Sequence, residues 1–593
     1  MNLALLAIGG VVLVVASTVL APKVGVAAPL LLVVLGFAAS LTPWIGPVTV
    51  PPDWILAGVL PPLLYSAAVS TPVMEARRDF RIISLFSVVL VAVSALVIGV
   101  VATVVVPGLP LGVGIALGAV ISPTDAVATS IVRRAGVSQR LVTVLEGESM
   151  LNDASALVLL RSAVAAVGVG ISVWHITLQF VWAVVAAIAI GVVVGRVTLL
   201  VRGRISDATT GVAVSLVVPF LAYIPTEHLG ASGLVAAVTA GVVTGDGAPH
   251  KMGAGDRMTD RTVWRTIELL LESGVFLLIG LELPALARDL TAHGGSILSA
   301  LAVGVLAAAV VVAIRAVFVA GSVWALARRN RRQPAVREKL AEISDQLDQG
   351  VLPETGRPKL EATRLLKRRP PVSPGEKRQT QLTRWRQALD GRIADLDYLA
   401  GEQFGWRDGI VLVWAGMRGA VTVAAAQTLP EDTPHRSFLV LVATLVAVGM
   451  LIAQGSTLSW LASRLGLTGR DTVGDEEQWT ALQAELSRAA LSRLDAYPDK
   501  LADDIRERLL RRTSADDDPY AGAVQRVRLE QYRTMRLDLI NAERDELLVL
   551  RRTGSYPSAM LDAALVQLDA EQIGIELRRP APGTAGGAGA ATL

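Results

Sequence analysis

The sequence predicts an all-α polytopic membrane protein with about thirteen transmembrane helices and further helical segments outside the bilayer. Three observations carry this. The 593 residues are 52% hydrophobic and 18% charged, with a mean hydropathy of +0.53, against about 25% charged in soluble domains. Apolar runs of spanning length follow one another up to Ala327, after which Arg, Lys, Asp and Glu become frequent. Lys and Arg alternate between successive loops, as membrane topology requires. A soluble enzyme or a nucleic-acid binder is excluded by the number of spanning runs, and 55 basic against 52 acidic residues give no bulk charge for nucleic acid. With no cysteine, disulfides, thiol catalysis and Cys-ligated metals are excluded as well.

A span needs about 20 mainly apolar residues. Runs of that kind lie at roughly 3–21, 27–43, 53–70, 82–106, 111–132, 141–168, 173–201, 208–224, 230–245, 263–285 and 296–327, then 408–428 and 437–465. The first lacks a basic leader and a cleavage site, so it reads as a retained span. One set of loops carries Lys23; Arg77, Arg78 and Arg81; Arg133, Arg134 and Arg140; Arg202 and Arg204; and Lys251, Arg257 and Arg261. The alternate loops near 43–52, 107–110, 168–172 and 225–229 carry neither Lys nor Arg. The basic loops are therefore cytoplasmic, which places the N-terminus outside and the C-terminus inside.

The chain thus divides into spans 1–11 over 1–327, a polar cytoplasmic insert over 328–405, spans 12–13 over 406–468, and a helical cytoplasmic tail over 469–579. Residues 580–593, rich in Gly, Ala and Pro, are expected to be disordered. The Arg-rich start of the insert is an ordinary positive-inside anchor, with contact to anionic lipid as the second reading. No phosphate-binding loop is present, so no nucleotide or other cofactor is expected.

Charges inside spans are costly and so mark function. Those near mid-span are Asp125, Glu146, Glu148, Asp153, Arg161, Glu272, Arg315 and Arg418, whereas all five histidines sit at span ends or in loops. In Glu146-Gly-Glu-Ser-Met-Leu-Asn-Asp153, helical geometry puts Ser149 and Asp153 on one face and Glu148 and Asn152 on another. Asp153 lies deep in its span and is the prime candidate for ion or proton binding. In Ser122-Pro-Thr-Asp-Ala-Val-Ala128, Pro123 breaks the helix next to Thr124 and Asp125. Asp125 either caps the following half-helix or contacts the ion. A second break is expected at Gly416-Met-Arg-Gly419, seven spans later. The odd offset inverts the second unit, the arrangement of inverted-repeat secondary transporters. Arg418 needs an anionic partner: Glu148 is the first choice and Glu272 the second.

Together with Leu60-Pro-Pro-Leu-Leu-Tyr65 and Phe276-Leu-Leu-Ile-Gly-Leu-Glu282, these motifs make 1–465 resemble bacterial Na⁺/H⁺ antiporters of the electroneutral, Asn-Asp type. The resemblance implies two crossed, unwound helices, a homodimer in the plasma membrane, and exchange of Na⁺ for H⁺ in pH and sodium homeostasis. It implies that Asp153, with Ser149 and Thr124, binds the monovalent cation or the proton, that Asn152 and Asp125 organise the crossing, and that Glu148 pairs with Arg418. Many such proteins carry an acidic residue where Ser66 stands here, which leaves Na⁺, Li⁺ or K⁺ open as the ion. An alternating-access carrier in which cation and proton compete for Asp153 is the expected mechanism. A K⁺/H⁺ exchanger is the nearest alternative, and a channel or a receptor with a sensing tail the alternative of another class.

Overall fold

A computed structural model describes residues 3–24, 27–42, 51, 54–166, 173–205, 207–292, 294–330, 337–340, 342–344, 378–401, 404–468, 472–494 and 524–577. Among them every regular element is helical. Most of the 328–405 insert and the expected disorder at 580–593 lie outside the described residues. The chain divides into two compact units: Met1–Lys251, Thr259–Glu338 and Leu396–Arg470 form the first, and Met252–Met258, Lys339–Asp395 and Asp471–Leu593 the second.

The first unit opens with α1 (Leu3–Val24) and α2 (Ala28–Ser40). A π-helical turn, Trp54–Val59, then leads into α3 (Leu60–Ser70). Pro61 and Pro62 have no N–H to offer the preceding turn, so the hydrogen-bond ladder is displaced there. Short helices α4 (Val73–Arg78) and α5 (Phe80–Ser84) precede a second π turn, Leu85–Leu90, and α6 (Val91–Val105). The fifth span is split into α7 (Leu111–Ile121) and α8 (Val127–Arg134), with Ser122 to Ala126 non-helical around Pro123, as the sequence predicts. Four long helices follow α9 (Gln139–Ala166): α10 (Val173–Arg202), α11 (Ala208–His228), α12 (Gly233–Lys251) and α13 (Ala254–Ala292). Next comes α14 (Ile297–Asn330), then α15 (Arg378–Gly401), which belongs to the second unit as far as Asp395. The twelfth span is again split, into α16 (Trp406–Trp414) and α17 (Ala420–Gln427), before α18 (Arg436–Arg464).

Six helical stretches are long and apolar enough to cross a membrane among the described residues: Phe80–Val105, Leu178–Arg202, Ala208–His228, Ala254–Ala292, Ile297–Arg328 and Arg436–Arg464. The other expected spans also fall on helical elements, which are shorter, split or charge-bearing for reasons given above. One element differs from its apolar run. The run at 263–285 lies within a continuous 39-residue helix, α13, because the polar residues on either side are good helix formers.

The core lies around α7, α9, α17 and α18. Leu117, Ile121, Leu141, Val144, Ala426, Leu439 and Val442 are almost fully inaccessible there. Helices approach closely through small residues. At the crossing of α2 and α13, a Cβ on Gly36 would overlap the Leu277 carbonyl, and one on Gly280 the Val33 carbonyl. The outward faces of α1, α10 and α14 are apolar, as Val12, Val15, Val185, Val305 and Val317 illustrate. Such surfaces suit contact with lipid tails.

In the second unit, α19 (Thr472–Leu494), α20 (Val524–Thr553) and α21 (Ser558–Leu577) bury Leu482, Leu486, Ile540, Leu547, Leu561 and Leu565 together. Gly554, at a φ of +72°, terminates α20, and its N–H bonds the Leu550 carbonyl at 2.9 Å. Asp569 is buried and receives both Arg257 and Arg544. The first residues of α13 therefore belong to the tail's packing unit.

Candidate ion-binding site

The two breaks meet. The backbone N–H of Asp125, in the first, donates to the carbonyl of Met417, in the second, at 2.9 Å. Arg418 lies across the crossing. Its Nε donates to the Ile121 carbonyl at 2.8 Å and its Nη2 to the Ser122 carbonyl at 3.1 Å. Its Nη1 reaches the Gly416 carbonyl. One guanidinium thus satisfies carbonyls that the two interrupted helices leave without N–H partners. Gly419 is required by close approach, since a Cβ there would overlap the Asp125 carboxylate. Gly419→Ala is expected to destabilise the fold by about 1–3 kcal/mol through overpacking, read as a lower melting temperature of the detergent-solubilised protein.

The expected Glu148–Arg418 hydrogen-bonded pair is not what the structure contains. Both carboxylate oxygens of Glu148 are taken by Arg315 of α14, through Nη1 to Oε1 and through Nη2 to Oε2 at 2.8 Å. Glu148 and Arg418 are within electrostatic range of each other, but the guanidinium of Arg418 is directed at carbonyls. Glu272, the second choice, is not its hydrogen-bond partner either. The physical reason is that the Arg315 fork already occupies both carboxylate oxygens, whereas the N–H groups of Arg418 are taken by the carbonyls of Ile121, Ser122 and Gly416. Arg315 also donates through Nε to the Leu412 carbonyl at 2.8 Å, and so ties α9 to α16.

Around this pair the predicted residues assemble. Thr124 donates to Glu148 Oε1 at 3.3 Å and accepts from Asn152 Nδ2 at 2.6 Å. It therefore links the break to the Glu148–Asn152 face of α9 and keeps one lone pair spare. Asp125 accepts a long 3.4 Å bond from the Val127 N–H, which favours the capping reading for its Oδ1. Its Oδ2 is buried without a partner. Ser149 donates to the Glu146 carbonyl at 3.1 Å, and its oxygen lone pairs are left for another cation or donor.

Asp153 is 6% exposed, and its Oδ1 is buried with no hydrogen-bond partner. It lies within electrostatic range of Asp125. Glu272, on α13, lies within range of Asp125 too. Sequence reasoning missed two participants. Arg315 was visible only as a mid-span charge with no stated partner. Thr422, three residues past Gly419 in the helix that follows the second break, has a buried hydroxyl with no partner and gives no signal in sequence.

Among the described residues no salt bridge reaches Asp153, a buried carboxylate within electrostatic range of Asp125 at the crossing of the two interrupted helices. The family model described as the sodium/hydrogen exchanger transmembrane domain matches residues 10–343. The chain belongs to the sodium/hydrogen exchanger family. This exchanger is 27% identical to an uncharacterized Na⁺/H⁺ exchanger of Mycobacterium tuberculosis, over 94% of each chain. It is 29% identical to a sodium, potassium, lithium and rubidium/H⁺ antiporter of Bacillus pumilus, over 43% of this chain and 40% of that one. A solved structure, the sodium proton antiporter MjNhaP1 from Methanocaldococcus jannaschii at pH 8, matches with a TM-score of 0.49 and 16% identity, covering 78% of this chain and 99% of that chain. By its family and its apolar helices the exchanger is a multi-pass membrane protein of a transport family.

Proposed function

We propose that this exchanger moves one Na⁺ against one H⁺ across the plasma membrane, with cation and proton competing for Asp153. The observation that carries the reading is the buried, unpartnered Asp153 Oδ1 beside the crossing. An ionised and empty site is costly to move through an apolar barrier, and either occupied form is close to neutral. Competition for one carboxylate therefore couples the two fluxes with no separate device. Asn152 stands where a second carboxylate would add a second proton, so one-for-one, electroneutral exchange follows. The N-terminus is outside and the C-terminus cytoplasmic on this reading, and the working form is a homodimer that serves pH and sodium homeostasis.

K⁺ is the second reading for the ion, supported by the ion breadth in the name of the Bacillus pumilus relative and by Ser66 in place of an acidic residue. Everted vesicles carrying a ΔpH decide between them when Na⁺, Li⁺ or K⁺ is added across a range of pH. Na⁺ and Li⁺ are expected to dissipate the gradient at a rate indifferent to a clamped membrane potential. A response to K⁺ alone would replace the ion, and no response to any of the three would overturn exchange altogether.

A further inference from the structure

Several carboxylates of the membrane unit are paired with arginines. Asp79 pairs with Arg140 at 2.7 Å, Glu227 with Arg161 at 2.7 Å and Asp260 with Arg202 at 3.0 Å. Glu148 and Glu146 hold Arg315 and Arg133. These are structural pairs. Among the described residues, no salt bridge reaches Asp125, Asp153, Glu268 or Glu272. The last two are four residues apart on α13, one above the other, where like charges repel.

The face of α13 that carries them is fixed against α3. Trp264, one turn before Glu268, packs its ring on that of Tyr65 with centroids 5.0 Å apart. Its Nε1 donates to Ser215 Oγ at 3.1 Å. One turn on, the hydroxyl of the buried Ser66 donates to Glu268 Oε2 at 2.9 Å. Glu272 continues the stripe and is within electrostatic range of both Glu268 and Asp125, as Asp125 is of Asp153. Three arginines lie near the stripe, Arg133, Arg134 and Arg265 of α13 itself, and among the described residues none forms a salt bridge with it. Arg133, in range of Glu268, is committed to Glu146. Arg134, in range of Glu272, donates to the Ser130 carbonyl at 3.2 Å.

We propose that Glu268, oriented by Ser66, is a second cation-binding carboxylate, which with Glu272 receives a monovalent cation on its path between the cytoplasm and Asp153. The proposal rests on the exchange reading above and extends it to residues outside the crossing. Ser66 fixes one oxygen of the carboxylate and leaves the other for the ion. The carboxylate is supplied by α13, across a helix interface from the α3 position of Ser66. A cation between Glu268 and Glu272 removes their mutual repulsion, and the next carboxylates along, Asp125 and Asp153, draw it inward.

The test is Na⁺-dependent H⁺ flux of the full chain in proteoliposomes, with half-saturating Na⁺ and maximal rate measured separately at several pH values. Glu268→Gln is expected to raise half-saturating Na⁺ about tenfold, with a maximal rate within about twofold of wild type. Ser66→Ala and Glu268→Asp are expected to shift it in the same direction by less. Wild-type half-saturation in Glu268→Gln overturns the proposal, as does a change confined to the pH optimum, which would mark a carboxyl that handles only protons. Should Glu268→Gln fail to fold, unchanged half-saturation in both Ser66→Ala and Glu268→Asp overturns it equally. An inactive wild type overturns the exchange reading and this inference together. An active wild type with no Glu268 effect overturns this inference alone.

Discussion

Asp153→Asn is expected to abolish cation-driven proton movement while leaving the protein folded. The substitution keeps the size and shape of the side chain and removes its charge and its proton. No salt bridge to Asp153 exists among the described residues, and its Oδ1 has no hydrogen-bond partner, so no structural contact of that atom is lost. Removing an unpaired buried charge is neutral or stabilising. Transport should fall on the order of 100-fold or more, because the variant cannot ionise to attract a cation or release a proton, a loss of about 3 kcal/mol or more in the coupled step. Melting temperature and vesicle flux measured on the same preparation separate the two effects. Unchanged flux in a folded Asp153→Asn protein would remove the carboxylate from the mechanism. Lost flux with a collapsed melting temperature would make Asp153 structural.

The interior charges were legible in sequence because each is an exception to its surroundings. Pro123 within an apolar run, and Gly416 and Gly419 flanking Arg418, announced the two breaks, and the structure brings those breaks together through Asp125 and Met417. Helical spacing likewise placed Glu148 and Asn152 on one face, where both meet Thr124. Partner choice was not legible. Arg315 and Arg418 are both lone arginines in mid-span, and nothing local tells which one reaches Glu148. The contact joins residues 167 positions apart, and the outcome depends on where α14 packs. The Ser66–Glu268 bond spans 202 positions and was hidden for the same reason. The apolar run at 263–285 located the span within α13 but not the helix's ends, because an apolar run marks what is buried in lipid and not where a helix stops.

Arg315→Ala should destabilise the protein more than Arg418→Ala does. Glu148 is 1% exposed, and Arg315 takes both of its carboxylate oxygens. Truncating Arg315 leaves that charge buried with only Thr124 as a weak donor, a defect of about 3–5 kcal/mol. Arg418 is equally buried, but its partners are neutral carbonyls. Its removal strands acceptors at about 1–3 kcal/mol and also takes away a buried cation that Glu148 balances only in part. Melting temperatures in detergent should rank the variants with Arg315→Ala lowest. Glu148→Gln combined with Arg315→Met should recover part of that loss, since the pair is then removed as a pair and no charge is left alone. Glu148→Gln added to Arg418→Ala should recover nothing, because it would leave Arg315 buried without its anion. If instead Glu148→Gln rescued Arg418→Ala and not the Arg315 variant, the hydrogen-bonded partner of Glu148 would be Arg418, and α14 would lose its place as the clamp that holds α9 against the crossing.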